Sequence, residues 1–222
     1  MELVRTNLRL QFSEALSPWL EIRNIIRTVG DKPKTEIEGP PFILDLKDQK
    51  QRVVVHVRAF QFIQEEISSS EDSINIVLEK LVQTNNASKL PKINQISYET
   101  IFIEPYALPF HELLIIMKDH FLKPNFLVDG STDIGLVFDQ TEGELFKHCQ
   151  TGPMGKEQLL GMYLHYKKEQ VPDNFIFLSL QYQQNKDFVF EINSVKKFLQ
   201  AANQWQANRA GEIFNYLRKG VN

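Results

Sequence analysis

An α+β fold, antiparallel sheet with helices packed on it, follows from three features of this 222-residue sequence. Apolar and polar residues alternate in many short runs, as Leu8, Leu10 and Phe12 do with Arg9 and Gln11, which is the period of a half-buried strand. A few longer segments repeat their apolar positions every three or four residues, the period of an amphipathic helix. The sequence also matches itself at a shift of 109 − 18 = 91 positions, with nine identities among the 46 positions from Phe12 to Val57. Composition alone would give about three.

The matched residues punctuate the chain. Pro18 falls on Pro109, Glu21 on Glu112, Ile25 on Ile116, Lys32-Pro33 on Lys123-Pro124, Gly39 on Gly130, Ile43 on Ile134 and Asp48-Gln49 on Asp139-Gln140. Prolines, glycines and turn residues carry backbone constraints. The expected architecture is therefore two related β-α-β-β-β(-β-β)-α halves, residues 1–90 and 91–222. The second half carries an extra hairpin and a long C-terminal helix. Two sheets side by side or one continuous sheet both satisfy this pattern.

The elements follow in order. Leu8 to Phe12 is a strand. Ser17 caps and Pro18 opens a helix with Trp19, Ile22, Ile26 and Val29 inward, and Gly30 stops it. Strands are expected near Thr35 to Glu38 and Phe42 to Leu46, then one long strand from Arg52 to Ile63. Ser68 to Asp72 starts a helix with acids in its first turn, where the dipole favours them, and Ile74, Val77, Leu78 and Leu81 form its apolar stripe. Gln83 to Pro91 has the composition of a linker.

Ile93 to Ile103 is a strand, and Pro109 opens a helix with Phe110, Leu113, Leu114, Met117 and Phe121 inward. Strands are expected at 126–129, 134–139, 144–149, 158–167 and 174–183. Turns are expected at Gln140 to Gly143 and at Gly152-Pro153-Met154-Gly155. The chain closes on an amphipathic helix from Ser194 to about Arg218, with Val195, Phe198, Leu199, Ala202 and Trp205 on its apolar side.

Bulk composition excludes several classes. Lysine and arginine number 25 against 28 acids, a net charge of −3, which argues against nucleic acid as a partner because phosphate contacts need clustered cations. The longest strongly apolar run, Leu113 to Met117, falls far short of the ~18 residues of a membrane span. The N-terminus has no apolar signal-peptide core. With one cysteine, Cys149, no internal disulfide can form, and a cytoplasmic protein is expected.

Chemistry-bearing motifs are scarce. His56, His111, His120, His148 and His165 show no metal-ligand spacing; Ile115 stands where a second helical histidine would follow His111. His148 and Cys149 are strand neighbours and point to opposite faces. No glycine-rich phosphate loop and no Gly-x-Ser-x-Gly elbow occurs. No metal, cofactor or catalytic residue is assigned, and Cys149 reads as a small buried apolar residue.

One surface stands out. The extra hairpin would carry Leu159, Gly161, Tyr163 and His165 with Phe175, Phe177, Ser179 and Gln181 on the face away from the core. On the long first-half strand His56, Arg58, Phe60 and Phe62 would share a face opposite Val53 and Val55. Aromatics beside His and Arg suit either a covered interface or a ligand groove. The candidate binding residues are Tyr163, His165, Phe177, His56 and Arg58.

The strand Ile93-Asn94-Gln95-Ile96-Ser97-Tyr98-Glu99-Thr100-Ile101-Phe102-Ile103-Glu104-Pro105 and the helix around Phe198 to Trp205 resemble parts of a sporadically distributed prokaryotic family of uncharacterised proteins. In that family a mid-chain strand has an Arg-Tyr-Ile-Asn-Arg type core followed by a proline. Tyr98 and Pro105 fit; Gln95 and Thr100 replace the flanking arginines, and Asn203 stands where a histidine would be. The resemblance implies no activity and carries over no site residues.

The functional expectation is a non-catalytic binding or interaction module with a protein partner or small ligand, self-associating into a homo-oligomer. The alternative is a hydrolase or nuclease with His56 or His165 as acid–base between the halves, which needs a second titratable group within about 3 Å.

Overall fold

The computed structural model describes residues 1–16, 22–24, 27–28, 35–37, 41–46, 50–65, 70–121, 133–166 and 171–219. Nine described strands form one continuous sheet: β1 (Glu2–Phe12), β2 (Thr35–Ile37), β3 (Phe42–Leu46), β4 (Gln51–Val55), β5 (Ala59–Glu65), β6 (Ile93–Pro105), β7 (Leu136–Glu142), β8 (Leu145–Gly155) and β9 (Asn174–Phe188). Their order is β2-β3-β4-β5-β1-β6-β9-β8-β7, and every neighbouring pair is antiparallel. The described helices are α1 (Ser70–Ser88), α2 (Phe110–Phe121), α3 (Lys156–Met162) and α4 (Ile192–Arg218).

The two long strands β1 and β6 pair at the middle, with Leu8 opposite Tyr98. From β1 the sheet runs outward through β5, β4, β3 and β2; from β6 it runs through β9, β8 and β7. In both arms the last strand along the chain lies beside the first. The gapless 91-residue frame sets β1 on residues 93–103, within β6, but β3 maps to 133–137, out of step with β7. Asp139 and Gln140 lie inside β7, whereas Asp48 and Gln49 fall between β3 and β4 in sequence, outside the described residues.

Helices α1, α2 and α4 cover one face of the sheet. The α1 stripe Ile74, Val77, Leu78 and Leu81 and the α4 residues Val195, Phe198, Leu199 and Ala202 pack with Leu8, Leu10, Phe12, Phe60, Phe62 and Tyr98. Farther along, Leu113 and Met117 of α2 and Ile213, Phe214 and Leu217 of α4 pack with Phe102, Leu178 and Leu180. One polar side chain pins α4 down. Gln206 is 1% exposed, and its Nε2 donates to the carbonyls of Tyr98 at 2.9 Å and Leu180 at 2.8 Å.

The expected extra hairpin is corrected. Residues 156–162 are helical, not a strand, and 163–166 continue as a short strap. The sequence Lys156-Glu157-Gln158-Leu159-Leu160 consists of good helix formers with an acid in the first turn. The alternation of Leu160, Met162, Leu164 and Tyr166 was coincidental: Leu159 and Leu164 are buried, while Met162 is 65% exposed. Helix α3 therefore sits on the second sheet face, where Leu159 and Leu164 pack with Val4, Ile101, Ile103, Phe175 and Phe177.

Three further boundaries move. The expected strand from Arg52 to Ile63 is a hairpin, closed by the His56 N–H donating to the Ala59 carbonyl at 2.7 Å. That turn flips the register, so Phe60 and Phe62 face the same core as Val53 and Val55. The expected turn at Gly152 to Gly155 is strand: β8 continues through it along β9, with Pro153 opposite Ile176. The β7 pairing stops at Thr151, so Pro153 has no β7 residue opposite it and its missing donor breaks no β7 rung. Helix α1 reaches Ser88, well into the expected linker. The expected strand at 126–129 and most of the helix after Pro18 lie outside the described residues.

Candidate ligand-binding face

The second sheet face has a covered end and an open end. At the covered end the strap after α3 is held by charge-assisted bonds. Glu65, 2% exposed, accepts the backbone N–H of His165 at 2.8 Å and of Tyr166 at 3.0 Å, one on each carboxylate oxygen. Arg5 Nη1 donates to the Tyr163 carbonyl at 2.8 Å. The Tyr166 hydroxyl sits 2.7 Å from the Gln51 carbonyl and 3.0 Å from Asp45 Oδ1, and Arg52 grips the same Asp45 with Nε and Nη2 at 2.5 and 3.0 Å.

Beyond the strap the face is open and amide-rich. The strand register sets Asn7, Glu99, Gln181, His148 and Asp139 in one row across β1, β6, β9, β8 and β7. The next row holds Arg9, Ser97, Gln183 and Phe146, and a third holds Gln11, Gln95 and Asn185. These side chains order one another. Gln61 Nε2 donates to Asn7 Oδ1 at 3.0 Å, Asn7 Nδ2 to Glu99 Oε2 at 3.4 Å, and Ser179 Oγ to Glu99 Oε1 at 3.0 Å. Gln95 and Gln183 both donate to Asn185 Oδ1, at 3.0 and 2.9 Å. Adjacent strands are ~4.8 Å apart, so the rows present a regular grid of donors and acceptors.

Where the grid meets the β4–β5 turn, Arg9, Gln11, Pro41, His56, Val57, Arg58 and Ala59 line a concavity of about 420 Å³. Burial, helped by the Arg9 charge, lowers the His56 pKa, so at neutral pH it is an uncharged imidazole.

The five sequence-assigned binding residues therefore separate into two groups. His56 and Arg58 stand together in the β4–β5 turn and line the concavity. Tyr163, His165 and Phe177 belong to the covered end. The Tyr163 ring lies on Phe177, centroids 4.6 Å apart, Phe177 is buried, and His165 is exposed on the strap. Arg9, Gln11, Asn7 and Glu99 were missed, although the polar alternation of β1 carried a signal; Gln181 lies on the second face, as expected.

One pair on this surface has acid–base geometry. His148 Nδ1 lies 2.6 Å from Asp139 Oδ1 on the flat face, a pair able to move a proton. Neither His56 nor His165 has a ring hydrogen bond to a carboxylate among the described residues. Burial pushes the Cys149 thiol up to about 11, which keeps it protonated. No group of three or more His, Cys, Asp or Glu side chains placed to hold a metal is found among the described residues. Nor is any described helix long and apolar enough to cross a membrane.

No family model matches the chain, and no curated protein matches it. Among solved structures, a rolling circle replication initiator protein from Geobacillus stearothermophilus is similar over 84% of this chain and 74% of that one, at 9% identity and a TM-score of 0.26. That likeness is too loose to place this chain in the same fold.

Proposed function

We propose that the protein is a non-catalytic binding module that holds a polar ligand against the open end of its second sheet face. One observation supports this most directly. Among the described residues, α3 and the strap cap part of that face and leave a grid of mutually hydrogen-bonded amides uncovered beside a concavity. Ordering these long side chains in advance lowers the entropy a ligand must overcome. The two arms of the sheet are sister units in this reading, meeting at β1 and β6, with the binding face spanning both.

The side-chain amides give a direct readout. With 15N-labelled protein, a panel of nucleotides, oligosaccharides and short peptides is screened for thermal stabilisation, and each stabilising compound is followed through the NH2 resonances of Asn7, Gln61, Gln95, Gln181 and Gln183. Saturable shifts confined to these groups and the concavity support the proposal. Stabilising compounds that leave all of them unmoved and shift helix-side residues instead would overturn it.

A further inference from the structure

We propose that the corner formed by Arg9, His56 and Arg58 is a phosphate site, and that the ligand of the open face is a nucleoside phosphate. This inference rests on reading that face as the binding surface and adds the chemical class of its ligand.

The argument starts from charge. The protein carries net −3, yet no carboxylate is among the described residues lining the corner. Two guanidinium groups and an imidazole meet there. The neighbouring grid is different: its carboxylates Glu99 and Asp139 stand in the Asn7 row, one row removed from Arg9. The Arg9 side chain donates a 3.3 Å hydrogen bond to the neutral Gln11. Arg58 is exposed at the tip of the turn. An arginine fork is shaped for the paired oxygens of phosphate, and a bond between two charged partners is about twice as strong as a neutral one. The neutral His56 supplies a further N–H donor.

The size and surroundings narrow the class. About 420 Å³ falls within the ~300–1,000 Å³ of small-molecule sites. The lining continues into Gln11, with Gln95 opposite it on β6 and Gln61 opposite Arg9 on β5. A primary amide presents a donor and an acceptor side by side and matches the edge of a nucleobase. Phosphate at the corner and base over the amides uses both parts of the surface. A polyanionic strand is disfavoured, because the described residues of the grid offer no further run of cations to neutralise its backbone.

The test uses the full chain and three probes: AMP, adenosine and inorganic phosphate. Titrations follow the arginine side-chain resonances for the corner and the Gln and Asn amides for the grid. Arg58→Gln and Arg9→Gln are compared with wild type, and melting curves confirm that each variant is folded. The expected result is saturable AMP binding that moves both sets of resonances and weakens by about tenfold or more in either variant. Phosphate should move the corner alone, and adenosine should bind at least about tenfold more weakly than AMP.

Equal binding of adenosine and AMP would overturn the phosphate site while leaving the open face standing as a binding surface. AMP binding indifferent to both arginine variants, or absent up to about 5 mM, would overturn it as well. Movement of the corner with no response from the amides would instead sink the larger reading of the face and keep an anion site.

Discussion

The Glu65 carboxylate accepts the backbone N–H of His165 at 2.8 Å across 100 positions of sequence, and this bond fixes where the covered end of the sheet stops. The same carboxylate also takes the Tyr166 N–H, so the strap is tied to β5 by its backbone. Its side chains then fall where the tie puts them: Leu164 into the apolar cluster and His165 outward.

Burial raises the Glu65 pKa above the ordinary carboxylate range, although the two N–H donors, Arg5 and Arg52 pull it down. A carboxyl with a raised folded-state pKa binds its proton more tightly folded than unfolded. Its contribution to stability is fully present below the unfolded value near pH ~4.3 and is lost as pH rises through the folded value. The unfolding free energy of wild type minus that of Glu65→Gln should therefore fall as pH rises from about 4 through the raised folded value. Urea melts at several pH values measure it, and a difference that rises with pH would contradict the assignment.

Tyr166→Phe removes the hydroxyl that serves Asp45 and the Gln51 carbonyl. The ring stays, so the loss is a polar one of about 0.5–1.5 kcal/mol. Hydrogen exchange at the His165 and Tyr166 amides should speed up more than exchange in β6. Unchanged protection at the strap would mean that Glu65 and Arg5 hold it without the hydroxyl.

Gln206 tests how the longest helix is fastened. Its amide reaches two main-chain carbonyls in a site with 1% exposure. Gln206→Leu keeps the bulk but removes both donors, and should cost about 1–3 kcal/mol for the polar atoms left without them. Leu180→Ala, in the same part of the core, removes apolar volume instead and should cost about 2–5 kcal/mol. Chemical denaturation with unchanged m-values reads both, and a neutral Gln206→Leu would show that packing alone seats α4.

The α+β class and the helical core were legible because they depend on periodicity. Leu8, Leu10 and Phe12 on β1, the α1 stripe and the inward residues of α4 all occupy the expected core. The failures came where local pattern was ambiguous. Five residues of alternating apolarity around Leu160 to Leu164 fit a strand as well as a turn of helix, and only Lys156-Glu157-Gln158 spoke for helix. The hairpin at His56 to Arg58 has no glycine or proline to mark it, so a two-strand unit looked like one strand and its faces were misread. The open grid escaped notice because its order is set by register between β1, β6 and β9, which a single sequence does not display. His56 and Arg58 were found for an incorrect reason: they share a turn, not a strand face.

Gly152 carries a steric demand from the sheet edge. A Cβ there would meet the Ile134 carbonyl oxygen at 2.5 Å, and the obstacle is backbone, which cannot rotate away. Gly152→Ala should push the segment before β7 off β8 and cost about 1–3 kcal/mol, the usual range for overpacking. Exchange protection in β7 should drop while that of β1 is retained. A fully stable Gly152→Ala with native β7 protection would show that this contact is slack.

Cys149 offers a chemical readout of the same edge. Its side chain is buried with Leu178 and Leu180, and burial keeps the thiol protonated until about pH 11. Reaction with an aromatic disulfide reagent requires the thiolate and access, so folded protein should label slowly from pH 7 to about 9 and rapidly once urea unfolds it. In Gly152→Ala, three residues along β8, labelling of the folded state should accelerate if the β7–β8 edge opens. Fast labelling of the wild type at pH 7 would contradict the burial on which this assignment rests, because a thiol held at about 11 supplies almost no thiolate there.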